Sequence, residues 1–120
     1  MMRARGGEDA DMSMEQQRAG TGDAGAIRAD LARRVAAIEW RSGPARLVDE
    51  VDQIRRIARA NGMLPALVVA QQLERALARG DHGPIVHAWL SMLGEAVSSE
   101  RQDAAASDAF AAACQVRFAA

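Results

Sequence analysis

Apolar residues recur at helical spacing along most of this chain, and breaks that contain glycine and proline separate the helical stretches. In the first stretch, Ile27, Leu31, Val35 and Ile38 follow one another at steps of four, four and three residues, which places them on one face of an α-helix. Ser42-Gly43-Pro44 ends the stretch, because glycine is favoured just after a helix and proline in the first turn of the next. The same pattern predicts further helices over 44–61, 64–79, 84–98 and 103–118.

The predicted helices are joined by connections of two to five residues, which favours antiparallel neighbours. The sequence therefore predicts an all-α fold: an up-down antiparallel four-helix bundle with an additional C-terminal helix. The third helix has the widest apolar arc, with Leu64, Leu67 and Val68 beside its main stripe, so we expect it to lie deepest. The bundle domain spans 24–120. Residues 1–23 are polar and glycine-rich with no apolar face, and this composition predicts a disordered N-terminal tail.

Charge and cysteine content narrow the function classes. Fifteen basic residues, all arginine, balance sixteen acidic ones to a net charge of −1, whereas a nucleic-acid-binding domain normally has a marked basic excess. The single cysteine, Cys114, cannot form an internal disulfide. No apolar run has the length of a signal peptide or a membrane span. We therefore expect a cytoplasmic protein that binds neither nucleic acid nor a membrane.

Few residues could carry chemistry. His82 falls in the predicted loop after the third helix and His87 on the fourth helix, too few and too scattered for a metal site, which needs three or four converging ligands. Cys114 lies among alanines and is expected to be a small buried hydrophobe. Asp49 and Glu50, beside Asp52, are typical of a solvated helix face. The sequence predicts no enzyme, no metal site and no cofactor.

One set of residues occurs in a recognisable order between the second and fourth helices. It comprises a glycine between two helices, apolar positions that open the next helix, a Leu-Glu pair and a Gly-Asp loop: Gly62, Leu64, Leu67, Leu73-Glu74 and Gly80-Asp81. In order and spacing these residues resemble the histidine-containing phosphotransfer (HPt) domain, the four-helix bundle that passes phosphoryl groups between receiver domains in bacterial phosphorelays. The resemblance implies an HPt-like bundle whose partner is a response-regulator receiver domain or a sensor-kinase domain.

The chain departs from that family at the acceptor motif. In the family's register, His-x-Leu-Lys-Gly falls on Asp52-Gln53-Ile54-Arg55-Arg56. Asp52 stands where the phosphoaccepting histidine would be, and Arg56 where glycine would leave room for the receiver. Phosphorelay chemistry needs a nucleophilic imidazole nitrogen, so the resemblance implies an HPt-like, pseudo-phosphotransfer signalling module that carries no phosphate.

We expect such a module to dock through the exposed side of the second helix. Asp52, Arg55, Arg56 and Arg59 follow at steps of three, one and three residues, which places them on one face opposite the stripe around Val51. The same four residues could instead form only a solvated, salt-bridged surface.

A second function class is a helical assembly or adaptor protein. The apolar residues of the third and fourth helices exceed what one stripe per helix can bury in a bundle of this size, and such a surplus favours self-association.

Overall fold

The structure, a computed structural model, describes the backbone of residues 11–118 and the side chains of residues 24–118. Within that part of the chain it is all-α, as predicted, with five helices and no strand: α1 (Asp11–Ala37), α2 (Pro44–Ala60), α3 (Leu64–Ala78), α4 (Pro84–Ser98) and α5 (Ala104–Phe118). The chain divides into two units between Asp30 and Leu31, inside α1. The packing described below belongs to the second unit.

The breaks between α2, α3 and α4 lie where the sequence predicts them. Gly62, Gly80 and Gly83 have φ values of +64°, +95° and +77°, a left-handed backbone that glycine adopts without steric strain. Each of α2, α3 and α4 has a proline in its first turn, where the missing N–H would have no helical partner. Glycine and proline therefore set these boundaries.

The bounds of α1 differ from the expectation. The backbone is helical from Asp11 rather than from about Ala24, and the helix ends at Ala37, before the Ser42-Gly43-Pro44 break. The amide of Ile38 donates to the carbonyl of Val35 at 3.1 Å, which tightens the last turn and ends the α-helical pattern. The disordered-tail prediction for 1–23 stays a prediction, because residues 1–10 and the side chains of 11–23 lie outside the described residues.

Helix α3 packs against α2, α4 and α5. This fits its wide apolar arc and the expectation that it lies deepest. Its predicted stripe is buried along its whole length: Ala66, Val69, Ala70, Leu73, Ala76 and Leu77. The predicted stripe of α2 is buried as well: Leu47, Val51, Ile54 and Ala58. The core therefore forms around α3, whereas the up-down order of a four-helix bundle and the likeness to HPt domains stay predictions.

The buried face of α5 differs from the expected one, which ran through Ala106, Phe110, Ala113 and Arg117. Ala106 is buried, but the stripe continues to Cys114, while Ala113 and Arg117 are exposed. A step of four residues from Cys114 reaches Phe118, whose ring stacks on that of Trp89 in α4 at a centroid distance of 3.9 Å. This aromatic contact accompanies a rotation of α5 relative to the predicted stripe. The expectation that Cys114 is a small buried hydrophobe is confirmed.

The first prediction tests the central position of α3. Leu73 is fully buried, so Leu73→Ala removes apolar contacts and leaves a cavity, and we expect it to lower the free energy of unfolding by about 2–5 kcal/mol. Val116, which is 86% exposed, supplies the matched control, since Val116→Ala should change the free energy by less than about 0.5 kcal/mol. Urea denaturation measures both. Equal effects of the two substitutions would show that α3 is not the centre of the core.

Candidate functional site

The candidate docking residues lie on α2, and we refer to Asp52, Arg55, Arg56 and Arg59 as the charged face. Burial of Val51, Ile54 and Ala58 against the core fixes the rotation of the helix. The sequence places the four charged residues on one helix face, but their surroundings differ. The side chains of Asp52 and Arg55 are only 24% and 21% exposed, whereas that of Arg56 is 73% exposed. The charged face is therefore half-buried on one side and open on the other.

Arg55 joins α2 to α3. Its guanidinium donates to the carboxylate of Asp52, one turn earlier on the same helix. Its Nε atom also lies 3.0 Å from Oε1 and 3.1 Å from Oε2 of Glu74 on α3. A guanidinium is planar and presents several N–H donors, so it can bond two carboxylates at once. Arg55 is therefore a structural bridge between two packed helices.

Asp52 accepts from two arginines. Besides the bond from Arg55, its Oδ2 atom lies 2.9 Å from Nε of Arg56, one turn further along α2. The hydrogen bond from Arg55 is the largest cause that lowers the pKa of Asp52, and the nearby charge of Arg56 adds to it. The hydrogen bond to Asp52, followed by the hydrogen bond to Glu74 and its charge, raises the pKa of Arg55. Asp52 is thus held as an anion with both of its oxygens in contact with cations.

Glu74 is the member of this cluster that sequence reasoning missed. The sequence drew attention to it only as part of the Leu73-Glu74 pair. Its position directly after a buried leucine brings its carboxylate to the edge of the α2–α3 contact. Glu74 flanks the buried stripe of α3, and Arg55 flanks that of α2. Opposite charges at the edges of two buried stripes are the sequence signal that could have indicated the pair.

Arg59 completes the charged face. It is exposed and makes no ion pair with any residue in the described part of the chain. Arg56 has one partner, Asp52, but most of its surface faces solvent. These two guanidinium groups are the part of the charged face that a partner can reach without breaking the contact between α2 and α3.

The other sequence candidates do not come together. His82 is exposed after α3, and His87 is exposed on α4 with its ring centroid 5.7 Å from that of Trp40. Burial raises the pKa of the Cys114 thiol, which keeps it in the less nucleophilic protonated form. Asp49 is exposed, as expected for a solvated helix face, but Glu50 is not: it pairs with Arg46 at 3.5 Å, is half-buried, and its Oε1 atom is buried without a hydrogen-bond partner among the described residues. Among residues 24–118, no group of three or more potential metal ligands lies close enough to hold an ion.

One cleft on the second unit lies away from the charged face. It has a volume of about 650 Å³ and runs between the end of α1 and α4, past Trp40, His87 and Glu95. Small residues such as Ala36 and Gly94 line it, and a side chain at Gly94 would meet Val35 at an ordinary contact distance of 3.8 Å. The sequence gives no sign that the rings of Trp40 and His87 meet, because this contact depends on how the end of α1 packs against α4.

No family model, curated protein or solved structure matches this chain. Within the part of the chain that the structure describes, no helix combines the length and the apolar character that crossing a membrane requires.

The second prediction concerns pH. Because the folded-state pKa of Asp52 is lowered, its contribution to stability is fully present above the ordinary aspartate pKa of about 3.9. That contribution is lost as the pH falls through the lowered value. We expect the free energy of unfolding of Asp52→Asn to fall less steeply with acidification than that of the native chain. Urea denaturation between pH 2 and pH 6 measures the two slopes.

Asp49→Asn provides the control for this experiment. Asp49 is exposed on the same helix and makes no ion pair among the described residues, so this substitution should leave the slope unchanged. If the Asp52 and Asp49 variants lose stability in parallel with the native chain, Asp52 is not a stabilising anion.

Proposed function

We propose that this chain is a non-catalytic protein-binding module that docks through the charged face of α2 to an acidic surface of a signalling partner. The finer form of the proposal is an HPt-like bundle that binds a response-regulator receiver domain or a sensor-kinase domain without carrying phosphate. The observation that carries the docking proposal is the exposure of the Arg56 and Arg59 guanidinium groups at the open side of the charged face.

The surroundings of Asp52 support the absence of phosphoryl transfer. In the HPt register this residue takes the acceptor position, and a phosphorylated carboxylate would be an acyl phosphate. To attack phosphorus, one Asp52 oxygen would have to leave its arginine partner. Receiver domains promote that chemistry with a cluster of acidic residues and a divalent cation. The groups in contact with Asp52 are both cationic, so its surroundings do not resemble such a cluster.

The open side of the charged face supports the docking role. Arg56 and Arg59 lie one turn apart by sequence and both are exposed. Receiver domains have an acidic cluster, and complementary charge increases both the rate and the specificity of association. Binding at Arg56 and Arg59 leaves the Arg55–Glu74 contact intact, so a partner can dock without disturbing the core.

The third prediction follows from the difference between the half-buried side of the charged face and its open side. Arg56→Ala/Arg59→Ala should bind a purified receiver domain more weakly than the native chain, by roughly tenfold at low salt. The difference should shrink as ionic strength rises, because salt screens exposed charges. Titration calorimetry across receiver domains from the same genome measures the affinities.

Arg101→Ala/Arg117→Ala is the matched control, because it removes the same two charges from exposed positions outside α2. It should bind as the native chain does. If no receiver or kinase domain binds the native chain, the finer proposal is wrong. If the double variant binds equally well at every salt concentration, α2 is not the docking surface.

The fourth prediction is chemical. Incubation with a phosphorylated receiver domain or with acetyl phosphate should leave the chain unlabelled, because Asp52 is held between two guanidinium groups. Intact-mass spectrometry under neutral conditions detects both phosphoramidate and acyl phosphate. A mass increase that disappears in Asp52→Asn would show that this carboxylate accepts phosphate after all.

A second candidate function is self-assembly, and one observation favours it specifically. Among residues 24–118, four large apolar side chains are exposed, one on each of four helices: Val48, Leu64, Ile85 and Val116. Exposed apolar surface is characteristic of association sites when it forms a continuous patch. Sedimentation velocity at rising protein concentration separates the two functions. A mass that stays at one chain supports the docking module, and a mass that rises supports assembly.

A further inference from the structure

A second cleft, distinct from the charged face, opens where α3, α4 and α5 meet. Its volume is about 350 Å³, within the range of small-molecule sites. We call it the α3–α5 cleft. Its lining includes two arginines of α3, a tryptophan of α4 and the last described turn of α5: Arg75, Arg79, Trp89, Cys114 and Phe118.

One wall of the cleft is aromatic and apolar. The rings of Trp89 and Phe118 stack at a centroid distance of 3.9 Å and an angle of 13°. Cys114 beside them is buried, and burial raises the pKa of its thiol. The thiol therefore stays neutral near pH 7 and contributes an apolar surface rather than a nucleophile. Trp89 and Cys114 are buried, so the half-exposed ring of Phe118 is the surface of this wall that can contact the flat apolar body of a ligand.

The cleft is also cationic. Arg75 lies in the last turn of α3 and Arg79 at its C-cap, and both are exposed. Arg79 makes an ion pair with Asp81 at 3.2 Å, whereas Arg75 makes none in the described part of the chain. Like charges at this spacing repel each other. The helix dipole at the end of α3 favours cations there, and the guanidinium donors of Arg75 are available to an oxyanion that the charge of Arg79 also attracts.

Trp89 lines the cleft but offers it no donor. The residue is 2% exposed, and its indole Nε1–H is buried without an acceptor among the described residues, so a ligand in the open cleft does not reach this N–H. The polar groups that the cleft offers are the two guanidinium groups and the side-chain amides of Gln72 and Gln115, with no acidic lining residue. Its chemistry calls for a ligand that supplies acceptor oxygens.

We propose that the α3–α5 cleft binds a small organic oxyanion, with its carboxylate or phosphate group on Arg75 and Arg79 and an aromatic or apolar body against Phe118, whose ring stacks on Trp89. This site is separate from the docking role proposed for α2, since none of its lining residues belongs to α2.

The fifth prediction tests the site with simple probes. Benzoate and phenyl phosphate carry the two anionic groups on the same ring, inorganic phosphate lacks the ring, and benzyl alcohol lacks the charge. The indole N–H signals in a ¹H–¹⁵N spectrum report binding, and Trp40→Phe identifies the signal of Trp89. We expect a saturable shift of that signal with benzoate or phenyl phosphate at millimolar concentration or below. Whichever of the two binds more tightly identifies the anionic group.

The arginine variants separate recognition of charge from contact with the rings. Arg75→Ala/Arg79→Ala should weaken binding by roughly tenfold or more, because charge-assisted hydrogen bonds are lost. Arg46→Ala, an exposed arginine outside the cleft, should bind as the native chain does. All variants alter exposed side chains, and a well-dispersed spectrum confirms that each is folded.

Three outcomes would overturn the proposal. The first is no saturable shift of the Trp89 signal with either aromatic anion. The second is an equal shift with benzyl alcohol, which would reduce the site to an apolar surface. The third is unchanged affinity in the double arginine variant.

Discussion

The burial of α3 is the constraint on which the rest of this unit depends. One helix packs against three others, α2, α4 and α5, which requires an apolar arc wider than a single stripe. Three of its buried residues, Ala66, Ala70 and Ala76, are small, so neighbouring helices can approach closely on more than one side. Leu73 and Val69 supply the larger apolar contacts between them.

The packing of α3 against α2 determines the geometry of the charged face. Glu74 follows the fully buried Leu73, so the position of its carboxylate is fixed by the core rather than by the flexible end of a surface helix. Arg55 follows the buried Ile54 in the same way. The two side chains meet at 3.0 Å because both helices present the edge of a buried stripe at the same contact. A partly buried ion pair of this kind therefore depends on the backbone register of both helices. Removal of either partner leaves the other charge less hydrated than it would be on an open surface, which is destabilising.

The sequence predicted the parts of this fold that depend on local chemistry. The stripes of α2 and α3 and the glycine and proline breaks around them are periodic or conformational signals, and the structure confirms them. Two expectations failed. Helix α1 ends at Ala37, where a local backbone hydrogen bond from Ile38 to Val35 tightens the last turn, and the buried face of α5 runs through Cys114 rather than Ala113, where a tertiary contact competes with periodicity. The sequence shows that Arg55 and Glu74 both flank buried stripes, but it does not establish that they pair, because the relative register of two helices is not encoded in the period of either one.

The distribution of ion pairs explains why two surfaces of this unit differ in what they can bind. On α2, each of Asp52, Arg55 and Arg56 has a partner within the fold, so a docking protein gains new contacts mainly from the open guanidinium groups at the edge of that cluster. In the α3–α5 cleft, positive charge is in excess, because Asp81 pairs with Arg79 and Arg75 has no acidic partner among the described residues. A carboxylate that already holds two cations gains little from becoming a phosphate acceptor. An unpaired guanidinium beside a stacked aromatic pair gains a full charge-assisted bond from an oxyanion. The same physical rule, that ionic groups are stabilised by partners near them, accounts for the structural role of Asp52 and supports the binding role proposed for Arg75.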